Sequence, residues 1–179
     1  KNLLLIVNPT SGTMRAKQQL LNICKTFCDA DYGVTVHITR CRGDAARCVE
    51  ERGNQFDVIV SCGGDGTFHE VVNGAARIVY GGEIGFLPCG TTNDFANGMK
   101  IPSDVLKAAS LLITYEKAKF LDFASFNKES YFTYVASFGA FTDVAYSTDQ
   151  KWKQVFGHAA YVTEALARLK DLRSYSMRI

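Results

Sequence analysis

The chain has 179 residues, 47% of them hydrophobic and 21% charged, which separates it from disordered, collagen-like and coiled-coil sequences. At this size a compact fold buries roughly 70% of its unfolded surface and needs neither disulfides nor a structural metal. Twenty Lys plus Arg against 18 Asp plus Glu give a formal charge of +2, which argues against an extended nucleic-acid footprint.

The first apolar run, residues 3–7, stops at Asn8-Pro9 and reads as a buried strand. Five residues are too few for a signal-peptide core or a membrane span, so a cytoplasmic chain without a transmembrane segment is expected. Leu20, Leu21, Cys24, Phe27 and Cys28 recur at helical spacing up to Gly33. Val34, Val36 and Ile38 alternate as a second strand, residues 44–52 read as a short helix, and residues 58–62 form a third strand. Thr67 opens a helix running towards Ile78, and Thr67-Phe68-His69-Glu70 has the form of a capping box. A fourth strand covers 84–87, and Ser103 stands where it can cap a helix over 104–112. The six cysteines show neither a CxxC pair nor a zinc-ribbon spacing, so buried thiols are expected.

Short apolar strands separated by helices predict an α/β fold over residues 1–117, an open and mostly parallel sheet with helices on both faces. The loops 8–12, 39–43, 63–67 and 88–94 all leave the C-terminal ends of strands, the edge where open α/β sheets bind ligands.

The pattern changes near Lys117. Alternation through Phe120, Asp122 and Ala124, a turn at Asn127-Lys128-Glu129, and a run from Tyr131 to Phe138 predict an antiparallel ribbon opening a β-rich domain over 118–179. Residues 151–172 read as a helix, and Tyr175 begins what looks like another strand. A ribbon, a helix and a strand stub do not close a domain, so the sequence is expected to be part of a longer protein that carries the rest. Phe120, Phe123, Phe126, Tyr131, Phe132, Tyr134, Phe138, Phe141 and Tyr146 are expected mostly in the core of that domain, and Trp152 suits a membrane interface. Apolar surface left uncovered there also suits a homodimer.

The sharpest chemical feature is Cys62-Gly63-Gly64-Asp65-Gly66-Thr67. Glycines let the backbone turn hard and approach a ligand, and the helix that follows offers N–H groups to a phosphate. A carboxylate among them repels that phosphate unless a cation or a reacting proton intervenes, so Asp65 points to Mg²⁺ or to proton transfer. The competing account is a tight strand-to-helix turn with Asp65 near the helix dipole. It is no dinucleotide fingerprint, because His69 stands where a third glycine belongs, and no GxxxxGK[ST] loop occurs. Asn8-Pro9-Thr10-Ser11-Gly12 supplies a second small-residue loop, and Pro88-Cys89-Gly90-Thr91-Thr92-Asn93-Asp94-Phe95-Ala96 a third, with Asp94 as a second carboxylate. Three such loops at one sheet edge favour a site for the phosphates of a magnesium nucleotide. His37 sits on a strand, His69 in a first helical turn and His158 in a late helix, a scatter that does not suit zinc.

Taken together, Asn8-Pro9-x-Ser11-Gly12, Gly63-Gly64-Asp65-Gly66-Thr67 and Gly90-Thr91-Thr92-Asn93-Asp94-Phe95-Ala96 resemble the diacylglycerol kinase catalytic domain, in the order that family has them. The likeness runs over the whole chain and points to the bacterial soluble lipid kinases, relatives of sphingosine and ceramide kinases. The Gly-Gly-Asp-Gly loop is shared with NAD kinases, so an NAD kinase-like phosphotransferase is one alternative and a non-catalytic nucleotide-binding or regulatory module another. The resemblance implies a nucleotide-binding α/β domain followed by a β-sandwich, with the active site in the cleft between them. It implies transfer of the ATP γ-phosphoryl to a lipid such as diacylglycerol, with Mg²⁺, peripherally at the inner membrane face. It assigns ATP contacts to Asn8, Pro9, Thr10, Ser11, Gly12, Thr39, Gly63, Gly64, Asp65, Gly66, Thr67, Phe68, His69, Glu70, Gly90, Thr91, Thr92 and Asn93. It matches Asp65 and Asp94 to acidic residues beside nucleotide and metal, and Asp122 to a third at the domain junction. Glu70 either reaches back to the Thr67 amide or lines the nucleotide loop. The family's general base, a glutamate, and its structural Mg²⁺ cluster belong to a C-terminal part outside these residues, so the fragment by itself is expected to be inactive.

Overall fold

Leu3, Leu4, Leu5, Ile6 and Val7 are all at most 1% exposed, so the first strand, β1 (Asn2–Val7), is buried on both faces. Such a strand has to lie inside a sheet that is itself covered on both sides. In the computed structural model, which describes residues 1–12, 15–115, 118–127 and 130–134, β1 lies between β2 (Gly33–Ile38) and β3 (Val58–Gly63). Strand β4 (Glu83–Pro88) follows on the far side of β3, giving the order β2-β1-β3-β4 with every pairing parallel. The chain steps outward from β1 to β2, then returns past β1 to β3. Strand order therefore reverses between β1 and β3, and ligands bind such sheets beyond the C-terminal ends of the strands at that reversal.

Helices α1 (Arg15–Cys28) and α5 (Val105–Thr114) cover one face of the sheet, where Ile23, Phe27, Val105 and Ala108 pack on Leu3, Leu5, Val7 and Val60. Helices α2 (Asp44–Arg52) and α3 (Asp65–Arg77) cover the other, where Val49, Val71 and Ala75 pack on Leu4, Ile6 and Ile59. Each fully buried aliphatic side chain contributes ~1.5–3 kcal/mol from removal from water. Phe68, Phe86 and Phe95 form a third cluster, which seats a short helix, α4 (Asp94–Gly98), beneath the end of β4.

The α/β fold is as the sequence predicts, and several local expectations are corrected. Leu21 is 84% exposed and Cys28 lies on the same outer side of α1, because Ala16, Ile23 and Phe27 hold the sheet face. Buried thiols are therefore Cys48, Cys62 and Cys89, whereas Cys28 and Cys41 are exposed. Helix α3 starts at Asp65 with Gly64 at its N-cap, and no capping box forms. Glu70 instead accepts hydrogen bonds from the Gly43 and Ala45 amides, at 2.8 and 3.2 Å, and so caps α2 from outside. Asp104, not Ser103, caps α5, its carboxylate accepting from Leu106 and Lys107 amides. The 88–94 loop runs into α4, a helix with too few apolar positions to show a period.

Residues Lys1–Tyr134 form one compact unit. It includes the antiparallel pair β5 (Ala124–Phe126) and β6 (Ser130–Phe132), the ribbon that the alternation predicts. Phe120, Phe123, Phe126 and Tyr134 are exposed rather than core, whereas Tyr131 and Phe132 of β6 are half-buried. The run to Phe138, Phe141, Tyr146, the 151–172 helix with Trp152 and His158, and the strand from Tyr175 lie outside the described residues.

Asp44 opens α2 as a buried carboxylate, 1% exposed. The Arg40 amide donates to it at 2.8 Å, Arg47 and Arg40 pair with it, and His37 Nε2 lies 3.4 Å away. The Arg40 amide first, then the two guanidinium groups, hold its carboxyl well below the usual carboxylate range against the opposing effect of burial. A depressed folded-state value means stability that is present above the unfolded pKa of about 3.9 and is lost as pH falls below it. Denaturant unfolding from pH 7 to 3 should show that loss. Asp44→Asn should lower stability by about 2 kcal/mol at pH 7 and flatten the acid limb. A variant whose pH profile parallels the parent's would refute the assignment.

Candidate functional site

Three loops meet beyond the C-terminal ends of β1, β3 and β4. The parallel ladder of β3 and β4 runs one bond past its last pair, with the Cys89 amide donating to Gly63 O at 2.7 Å. The two chains then leave so close together that a Cβ on Gly90 would lie 2.6 Å from Gly64 Cα. From the other side, a Cβ on Gly64 would lie 3.2 Å from Gly90 Cα and 3.4 Å from Ser11 Oγ. Gly12, at φ +53°, sits under the Cys89 carbonyl, where a side chain would overlap the oxygen. Loops 8–12, 63–67 and 88–94 are thus in backbone contact, and glycine is required where they touch.

Side chains tie this arrangement together. Asn8 Nδ2 donates to Thr67 Oγ1 at 3.1 Å while its Oδ1 accepts from the Thr10 amide and hydroxyl, both at 3.0 Å, closing the β1 loop on itself and on α3. Asp65 reaches across to α4, its two oxygens accepting from the Asp94 and Phe95 amides at 3.1 Å each. Asn93 adopts φ +51°, a conformation that Asn tolerates, and its amide bonds to both the N–H and the C=O of Gly90. Asn97 Nδ2 donates to Thr92 O at 2.9 Å.

The predicted site residues divide accordingly. Ser11, Gly12, Gly63, Gly64, Asp65, Gly66, Thr67 and Gly90 come together at the sheet edge, with Asn8 and Pro9 behind them. Thr10, Thr91, Thr92 and Asp94 are exposed around them. Thr39 lies beside the first loop, its amide donating to Val7 O at 2.9 Å. Phe68 turns its ring away into the aromatic cluster, 4.4 Å between centroids from Phe95 and 4.7 Å from Phe86. Glu70 turns to α2. His69 lies one turn along α3, its imidazole drawn below the usual histidine value by partial burial, with Glu70 opposing and Arg42 reinforcing. Asp122 is exposed ahead of β5, and no hydrogen bond or ion pair joins it to Asp65 or Asp94. Sequence reading missed Asn73, a buried amide on an apolar stretch of α3. It also missed the bond from Asp65 to α4, which joins positions 29 and 30 residues apart.

Gly64 leaves the α3 N-terminus without a side-chain cap, the kind of helix end whose N–H groups can take an anion, and a Cβ at Gly66 would meet nothing within 4 Å. Among the described residues no group of three or more His, Cys, Asp or Glu side chains is placed to hold a metal ion. Asp65 and Asp94 are the two carboxylates at this edge that could share a divalent cation with substrate phosphates and water.

Comparison with known proteins follows the same lines. The diacylglycerol kinase catalytic domain family matches residues 2–124. A diacylglycerol kinase of Bacillus subtilis (strain 168) is 38% identical over 177 residues, covering 98% of this chain and 58% of its own length. One from Staphylococcus aureus (strain bovine RF122 / ET3-1) is 34% identical over 176 residues, covering 98% of this chain and 55% of its own. The chain thus spans little more than half the length of these relatives. A crystal structure of a diacylglycerol kinase from Bacillus anthracis str. Sterne superposes with a TM-score of 0.67 at 32% identity, over 73% of this chain and 45% of that one.

The glycine contacts separate two kinds of substitution. Gly90→Ala should lower stability by about 1–3 kcal/mol through the clash with Gly64. Gly66→Ala, in an open helical position, should leave stability unchanged or slightly raised. Urea midpoints of the two variants check this; equal midpoints would refute the close approach.

Proposed function

The chain belongs to the diacylglycerol kinase catalytic domain family, and from that we propose that the whole protein is an ATP-dependent lipid kinase. It transfers the γ-phosphoryl group to a lipid hydroxyl, that of diacylglycerol, giving phosphatidic acid. The observation that carries this reading is the backbone contact of the 8–12, 63–67 and 88–94 loops, which gathers glycines, hydroxyls and two carboxylates at the sheet's ligand edge.

Each set of residues then has a task. The amides of Gly64 to Thr67 hold phosphoryl oxygens at the open end of α3, and Ser11 stands opposite them. Asp65 and Asp94 would hold the cation, which would offset charge on the transferring group. Thr39 and the exposed Thr91 border the nucleotide. Transfer breaks the bond from the γ-phosphorus to the bridging oxygen of ADP and forms one to the lipid oxygen, whose proton passes to a base. The acceptor-side domain begins near residue 118, and Asp122 stands at that junction. The finer elements of the proposal are Mg²⁺ as the metal, the inner membrane face as the place of contact, and a homodimer through the exposed Phe120, Phe123 and Phe126. Membrane contact in this reading is peripheral; no helix among the described residues is long and apolar enough to cross a membrane.

Two measurements test this. Calorimetric titration should give magnesium-dependent ATP binding that Asp65→Asn and Gly64→Val weaken by ~10-fold or more, about 1.4 kcal/mol. Unchanged binding in folded variants would move the nucleotide elsewhere. Radiolabelled ATP offered to the full-length protein with diacylglycerol, other lipids and NAD should label diacylglycerol; label on NAD alone would replace the lipid reading.

A further inference from the structure

Asn73 is 4% exposed, on a stretch of α3 where its neighbours Val71, Val72 and Ala75 are apolar and buried. Its amide is committed to backbone groups. Nδ2 donates to Tyr131 O at 2.9 Å and to His69 O at 2.8 Å, and Oδ1 accepts from the Tyr131 amide at 2.8 Å. Only this orientation of the amide works, since the reverse would set its NH₂ against the Tyr131 N–H. In the β5–β6 ladder Tyr131 stands opposite Ser125. A residue in an antiparallel strand directs its N–H and C=O to one side. Both groups of Tyr131 go to Asn73, so the side chain pairs with the outer edge of β6 as one residue of a further strand would.

We propose that Asn73 is a positioning residue for phosphoryl transfer: its amide fixes the β5–β6 ribbon, and the acceptor side it begins, in register with the phosphate-loop helix. The proposal rests on the lipid-kinase reading and adds to it the device that aligns acceptor with donor. Asp65 and Asn73 are eight residues apart on one helix, about 12 Å along its axis. Any displacement of the ribbon on α3 is therefore a displacement relative to the phosphate loop. An aliphatic side chain at 73 would fill the same space but leave both Tyr131 groups unpaired. Transfer is sensitive to such slippage, since about 1 Å of misplacement costs on the order of 100-fold.

The test uses the full-length protein. Asn73→Ala should lower kcat ~10–100-fold while the affinity for Mg–ATP stays within about two-fold, and the Tyr131 amide should exchange with solvent faster than in the parent. Should Asn73→Ala not fold, Asn73→Asp, which keeps an acceptor for the Tyr131 N–H but offers no donor, is read in the same way. An unchanged kcat in a folded variant overturns the proposal. Parallel loss of ATP affinity and kcat also overturns it, because that marks a collapse of the loop rather than misalignment. A parent protein that labels no lipid overturns the functional reading and with it the transfer role; exchange at Tyr131 then decides the clamp alone.

Discussion

Four residues on the first three turns of α3 bond to four other elements, and the position of this one helix constrains the rest of the site. Asp65 bonds to α4, Thr67 to Asn8 in the β1 loop, Glu70 to the start of α2, and Asn73 to β6. None of these partners is near α3 in sequence, so they do not help it nucleate. What places the helix is the packing of Val71 and Ala75 on Leu4, Ile6 and Ile59, together with the contact of Phe68 with Phe86 and Phe95. The apolar side fixes the axis, and the polar residues then fix their neighbours to it.

The glycines explain why the helix starts where it does. Strands β3 and β4 are paired to their ends, and the loops that leave them converge until a Cβ on Gly64 or Gly90 would press on the other's backbone. Gly64 and Gly90 relieve that crowding, and Asp65, the next residue after Gly64, then lies within reach of the Asp94 and Phe95 amides. A register shift of one residue that brought Asp65 or Thr91 to the contact would put a side chain where a glycine is needed. The site is therefore a consequence of sheet register as much as of loop composition.

Sheet and covering helices were legible because their signals are local. Residues 3–7 and 58–60 are unbroken apolar runs, and α2 has the bounds its sequence predicts. The three small-residue loops were legible for the same reason. What the sequence hid depends on pairs distant in the chain. Thr67 and Glu70 have capping-box spacing, yet Gly64 already serves as N-cap and the amides of Gly43 and Ala45 are better placed to receive the carboxylate. Phe68 belongs to a nucleotide-loop motif and still turns into the core, since a helix beginning at Asp65 points position 68 at the sheet. Phe120, Asp122 and Ala124 alternate with Leu121, Phe123 and Ser125 as a strand does, but alternation reports only that there are two faces and not which one is covered. Asn73 offered a usable signal, a lone amide between Val72 and Gly74, and only the fold shows what it pairs with.

Asp65 stands where the loop contacts and the charge of the site meet. A carboxylate beside a phosphate site is electrostatically awkward, and the sequence left two accounts, a metal ligand or a residue near a helix dipole. The structure shows that the oxygens accept N–H bonds from a helix other than Asp65's own, one at each oxygen. An ionised carboxylate has about four lone-pair directions, so these two bonds leave room for a cation on the outer side. The contact with α4 is thus compatible with the cation role proposed for Asp65, because the same N–H donors fix the direction of its carboxylate. Asparagine presents a single carbonyl oxygen and an NH₂ group in the same space, so it can keep one of the two bonds and must set its NH₂ against the other amide. Loss of charge at position 65 therefore also loosens α4, which carries Asp94. Asp65 thus holds in place the backbone from which the Asp94 carboxylate projects.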